Sequence, residues 1–102
     1  MKIFLDTADT EVIAKYFSTG LVDGVTTNPT LIMKSGKNPE DVYQEIKDMG
    51  VKDISMEVVG SDLEMYDEGI RLAEKFGDVA TIKVPCTREG LIVCKRLSEQ
   101  GI

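Results

Sequence analysis

Short apolar runs and longer amphipathic stretches alternate four times along this chain of 102 residues. The apolar runs fall at Lys2–Asp6, Asp23–Asn28, Asp53–Val58 and Val79–Val84, and are rich in Ile, Val, Leu, Phe and Thr, the composition of buried parallel strands. The stretches between them carry helical punctuation. Gly20, Gly50, Gly77 and Gly101 each follow a helix-like pattern where a left-handed C′ residue belongs. Asn38-Pro39 reads as an N-cap with proline at the first helical position, and Ser61-x-x-Glu64 has the form of a capping box. Val42, Ile46 and Met49 share one helical stripe, and Leu63, Tyr66, Ile70 and Ala73 another. One face of each helix is therefore expected to pack on a sheet.

Strict alternation of strand and helix implies a parallel sheet with right-handed crossovers, either doubly wound or part of a (β/α)8 barrel. The first strand leads into Asp6-Thr7-Ala8-Asp9 rather than a glycine-rich turn, which argues against a nucleotide-binding sheet. Side chains alternate across a strand, so one face of the four strands carries Lys2, Phe4 and Asp6, then Gly24, Thr26 and Asn28, then Ser55 and Glu57, then Val79, Thr81 and Lys83. The opposite face holds Ile3, Leu5, Ile54, Met56, Ala80 and Ile82 and suits covering helices. Polarity thus gathers at the carboxyl end of one face, where a barrel places its active site. The expected fold is α/β, four βα units forming half of a TIM barrel, with residues 1–102 as one domain. At about 26 residues per unit, eight units need about 205 residues, near the lower size of such barrels.

Composition narrows the chemistry. With 42% apolar and 29% charged residues the chain is ordinary for a globular domain, and no apolar run approaches the roughly 18 residues of a membrane span. Met1-Lys2 leads directly into Ile3-Phe4-Leu5-Asp6 rather than a long apolar stretch, so a cytoplasmic location is expected. A net charge of −6 without a basic block excludes a nucleic-acid duplex as the expected partner. There is no histidine, and Cys86 and Cys94 stand apart in what reads as one helix, so neither a zinc site nor a disulfide is expected.

Lys83 is the sharpest candidate for chemistry, because a neutral amine attacks a ketone to form a Schiff base that serves as an electron sink. A free lysine costs about 4.6 kcal/mol to deprotonate at pH 7, so that role needs a site that desolvates it. A lysine snorkelling from a strand end is the competing reading. Asp6 suits acid–base work at a substrate hydroxyl, or caps the helix that follows. Glu57, in an apolar run, needs either a function or an ion pair with Lys83. Asn28 is pushed into extended backbone by Pro29 and presents its amide to a ligand or serves as a turn residue, with Thr26 beside it on the same face. Tyr16, Phe17, Tyr43, Tyr66 and Phe76 read as core or interface residues, and Cys86 as a bystander.

Four motifs occur in order: Phe4-Leu5-Asp6-Thr7, Asp23-Gly24-Val25-Thr26-Thr27-Asn28-Pro29-Thr30, Ser55-Met56-Glu57-Val58 and Ile82-Lys83-Val84-Pro85. Together they resemble the first four strands of the small transaldolase and fructose-6-phosphate aldolase family. The resemblance implies that Lys83 forms the Schiff base, Asp6 is the acid–base group at the cleaved bond, Asn28 binds the dihydroxyacetone hydroxyls and Glu57 orients the catalytic water. Thr26 joins Asn28 as a substrate-binding candidate. A glutamate at position 57 resembles the transaldolases, whereas the related aldolases carry glutamine. The implied activity is transfer of a dihydroxyacetone unit between sugar phosphates, in the pentose phosphate pathway, with no cofactor. Family members are about twice this length, so the phosphate-gripping residues are expected in the other half. The exposed sheet edges then call for a partner, either a second copy or a complementary half-barrel, and turnover by the lone chain is expected to be weak or absent. An inactive half-barrel that self-assembles is the alternative, as is an aldolase-like lyase.

Overall fold

The computed structural model describes residues 1–102. Strands β1 (Phe4–Asp6), β2 (Gly24–Thr26), β3 (Ile54–Glu57) and β4 (Ala80–Lys83) form one parallel sheet in the order β1-β2-β3-β4. Helices α1 (Thr10–Phe17), α2 (Pro29–Ser35), α3 (Pro39–Asp48), α4 (Asp62–Phe76) and α5 (Arg88–Glu99) fill the connections. This is the expected α/β alternation, half of a TIM-type barrel.

The strands are shorter than the apolar runs, and at two of them a neighbouring element takes the end. Asn28 is the N-cap of α2, its side chain accepting from the Leu31 N–H at 2.9 Å, and is not the last residue of β2. Val79 likewise belongs to a 3₁₀ turn, Gly77–Val79, before β4. The second connection holds two helices where the pattern suggested one, since α2 ends at Gly36 and α3 starts afresh at Asn38-Pro39. All four punctuating glycines have positive φ. The Ser61–Glu64 capping box is present with both of its hydrogen bonds.

Two placements differ from the sequence pattern. The buried stripe of α4 is Met65, Gly69, Leu72 and Phe76, and Leu63 lies exposed in the first turn. Of the expected stripe, Tyr66 and Ile70 reach only the margin of the core. Cys86 and Cys94 do not share a helix: α5 begins at Arg88, and Cys86 sits in the loop before it. Both thiols are free and exposed.

The core lies on one side of the sheet. Val25, Ile54 and Met56 are fully buried beneath Ile13, Val42, Ile46, Phe76, Val93 and Leu97 from the helices. On the other side, Phe4, Asp6 and Thr81 are exposed, and the outer edges of β1 and β4 have no strand partner within the chain. No helix is long and apolar enough to cross a membrane.

An ionic network ties α3 to α4. Glu40 accepts from Arg71 at 3.0 Å and Lys75 at 2.7 Å, and these two cations hold its carboxyl down at about 2. Because the carboxyl is held below its ordinary value of 4.5, the contribution is complete above that pH and is lost as pH falls towards 2. Glu40→Gln is expected to lower stability at pH 7 by about 1 kcal/mol, the modest figure appropriate to partly exposed partners. Urea unfolding at stepped pH checks it: the gap to wild type should close on acidification, and a gap independent of pH would contradict the assignment.

Candidate active site

The parallel register stacks the polar face in two rows. Asp6 pairs with Thr26, Thr26 with Ser55 and Ser55 with Thr81, which makes the lower row. Glu57 pairs with Lys83 two residues further along, at the carboxyl end of the sheet. The sequence collected these polar strand ends on one face. The register sets Asp6 one row below the Glu57–Lys83 pair, because each strand enters the sheet with its own stagger.

In the upper row the Lys83 Nζ lies 3.6 Å from Glu57 Oε2 and donates to the Thr27 carbonyl at 3.2 Å. The Glu57 side chain is 17% exposed and that of Lys83 40%, so the carboxylate is the more enclosed partner. Both line an open cavity of about 610 Å³ with Asn28, Pro29, Thr30 and Leu31. Asn28 commits its carbonyl oxygen to the cap of α2, and its amide nitrogen makes no hydrogen bond within the chain. The sequence left open a turn role and a ligand role for Asn28. The cap realises the first without consuming the donor needed for the second.

In the lower row the Thr26 hydroxyl donates to Asp6 Oδ1 at 2.9 Å, and the Thr81 hydroxyl to Asp53 Oδ1 at 2.7 Å. Asp6 does not cap α1; Asp9 does, accepting from the Glu11 and Val12 N–H groups. The helix-capping alternative for Asp6 is thereby removed. No group of three or more Cys, Asp or Glu side chains is arranged to hold a metal ion.

Thr27 went unremarked in the sequence. It is fully buried on the helix side of the sheet, and its hydroxyl donates to the Ser55 carbonyl at 2.8 Å. Tyr43 of α3, read as a core residue, is indeed buried, with its ring edge-on to Phe76 at 5.8 Å. Burial raises its phenol above the usual value; a polar contact with Thr27 opposes that rise and the Glu57 charge adds to it. The contribution of Thr27 runs through its main-chain carbonyl, for which residue type gives no signal.

A parallel sheet walled by helices on one side, with a lysine, a carboxylate and an amide gathered at its carboxyl end, is the architecture of half a TIM-barrel enzyme. Residues 3–102 match the family described as Transaldolase/Fructose-6-phosphate aldolase, and the chain belongs to that family. It is 50% identical over 103 residues to a "Probable transaldolase" of Nitrosopumilus maritimus (strain SCM1), covering 100% of this chain and 46% of that relative. It is 52% identical over 103 residues to a "Probable transaldolase" of Caulobacter sp. (strain K31), covering 100% of this chain and 47% of the relative. A "Probable transaldolase" of Hyphomonas neptunium (strain ATCC 15444) is 50% identical over the same length, with 47% of it covered. The chain thus spans about half the length of the curated relatives it matches.

Proposed function

We propose that this chain carries the Schiff-base part of a transaldolase-type site, acting on sugar phosphates in the cytoplasm without a cofactor. The Lys83 amine adds to the ketone carbon of a ketose phosphate, and loss of water leaves a protonated imine. Asp6 takes the proton from the hydroxyl beside the scissile carbon–carbon bond. The bond's electron pair flows into the imine, an aldose phosphate leaves as its aldehyde, and three carbons stay on Lys83 as an enamine. Addition of that enamine to a second aldose phosphate, with the proton returned from Asp6, forms the new bond, and water then releases the product. Glu57 orients the water lost and regained, and Thr26 holds Asp6 by the 2.9 Å hydrogen bond. The free amide nitrogen of Asn28 serves the dihydroxyacetone hydroxyls.

The observation that carries this reading is the Lys83–Glu57 pair at 3.6 Å, set in one cavity with Asn28. A second reading, an inactive half-barrel module, draws on the same cavity: Lys83 is the only cation lining it, so nothing there is left to grip a phosphate. Weak or absent turnover of phosphorylated sugars by this chain by itself follows from that. The open edges of β1 and β4 are the places for a complementary half-barrel or a second copy to complete the sheet.

Borohydride reduction in the presence of fructose 6-phosphate or dihydroxyacetone, followed by intact mass and peptide mapping, tests the proposal. The expected result is a stable adduct on the Lys83 peptide with dihydroxyacetone, and less with the phosphate ester. No adduct with either compound at high concentration would select the inactive module.

A further inference from the structure

A salt bridge attracts an amine without aiming it, and at 3.6 Å the Glu57 carboxylate is beyond ordinary hydrogen-bond length from Lys83. The directional contact of Lys83 is the one it makes to the Thr27 carbonyl at 3.2 Å, across 56 residues of sequence. That carbonyl is itself held. Thr27 lies between Thr26 and Asn28, whose side chains serve the mouth, and its own side chain turns the other way into the helix layer. There its hydroxyl donates to the Ser55 carbonyl of β3 at 2.8 Å. One fully buried residue thereby links β2 to β3 through its side chain and to β4 through its main chain. The Tyr43 phenol is in polar contact with Thr27, and its ring, only 4% exposed, is set edge-on to Phe76.

We propose that Thr27 is a positioning residue for Lys83: its hydroxyl locks the β2 terminus onto β3, so that its carbonyl aims the amine across the mouth. The inference rests on Lys83 as the Schiff-base lysine for its use in chemistry, but the geometry it asserts is measurable without any substrate. A lysine has four rotatable side-chain bonds, and attack on a carbonyl needs the nitrogen in a narrow cone, so an aimed amine gains rate through orientation.

The test is nitrogen-detected NMR of the lysine ammonium groups in the 102-residue protein, combined with the rate of borohydride trapping by dihydroxyacetone. Wild type and Thr27→Ser are expected to show a resolved, slowly exchanging Lys83 signal, and Thr27→Val, which keeps the shape but loses the hydroxyl, to lose it. The maximal trapping rate should fall about tenfold in Thr27→Val with the half-saturating dihydroxyacetone concentration unchanged, and return in Thr27→Ser. A folded Thr27→Val protein with an unchanged Lys83 signal and rate overturns the proposal. Should that variant not fold, Thr27→Ala, which also lacks the hydroxyl, takes its place: a lost Lys83 signal supports the positioning role, and an unaltered signal and rate overturn it. A Lys83 signal that responds to Thr27→Val in a protein that traps nothing would leave the positioning intact and remove only the Schiff-base reading.

Discussion

Lys83→Ala is expected to abolish the borohydride-trapped adduct with dihydroxyacetone, while costing only about 1 kcal/mol of stability. The sequence has nine lysines, and all can meet a small ketone in solution. Their surroundings separate them. Lys37 and Lys75 are engaged by Glu45 and Glu40, Lys47 by the Phe76 carbonyl, and Lys95 is 80% exposed beside Glu99. Lys83 alone stands in a cavity with a carboxylate and an unused amide donor. The cost in stability is small because 40% of its side chain already meets solvent, the regime in which ion pairs contribute up to about 1 kcal/mol. Peptide mapping with a thermal melt checks both halves of the expectation. An adduct of undiminished yield, relocated to another lysine, would sink the assignment.

Gly90→Ala is expected to destabilise the chain by about 3 kcal/mol, although the same exchange inside a helix ordinarily gains about 1 kcal/mol. Gly90 sits buried in the first turn of α5, under the loop that leaves β4. A Cβ there would overlap the Pro85 carbonyl oxygen and lie 3.0 Å from the carbon that bears it. The obstacle is backbone, which a rotamer change cannot clear. Moving it also threatens the cap, since Thr87 N–H donates to Pro85 O at 2.8 Å and the Thr87 hydroxyl accepts from Gly90 N–H at 3.0 Å. Overpacking and a weakened cap therefore act together. Urea unfolding measures the change, and a neutral or stabilising alanine would contradict the packing described for this loop.

The sequence pattern located the four strands because period-two alternation survives in β3 and β4, where Ile54 and Met56 face the helices while Glu57 and Lys83 face the mouth. The same alternation was enough to collect Asp6, Thr26, Asn28, Glu57 and Lys83 on one side. It carried no information on depth, because register is a relation between strands, and so the place of Asp6 one row below Glu57 and Lys83 could not be read from it. Helix α2 was overlooked although Asn28-Pro29 repeats the Asn-Pro start of Asn38-Pro39: seven residues are too few for a stripe to stand out. For α4 two apolar stripes of similar strength lie about one residue apart, and only packing against α5 and β4 chooses Met65, Gly69 and Leu72 over Leu63. Thr27 was out of reach for a different reason, its contact to Lys83 being made by an atom every residue possesses.

The strand order has a kinetic consequence. Leu5 pairs with Val25, Thr26 with Ser55 and Ser55 with Thr81, so each pairing closes a span of 20 to 29 residues. Each span must be closed before its pairing is rewarded, and a sheet made wholly of such parallel crossovers forms more slowly than a helical bundle of the same length. Each strand pairs with its immediate predecessor in the chain. The sheet is therefore ordered in space as it is in sequence, and adding a strand at either end would extend it without rearranging the pairings already made.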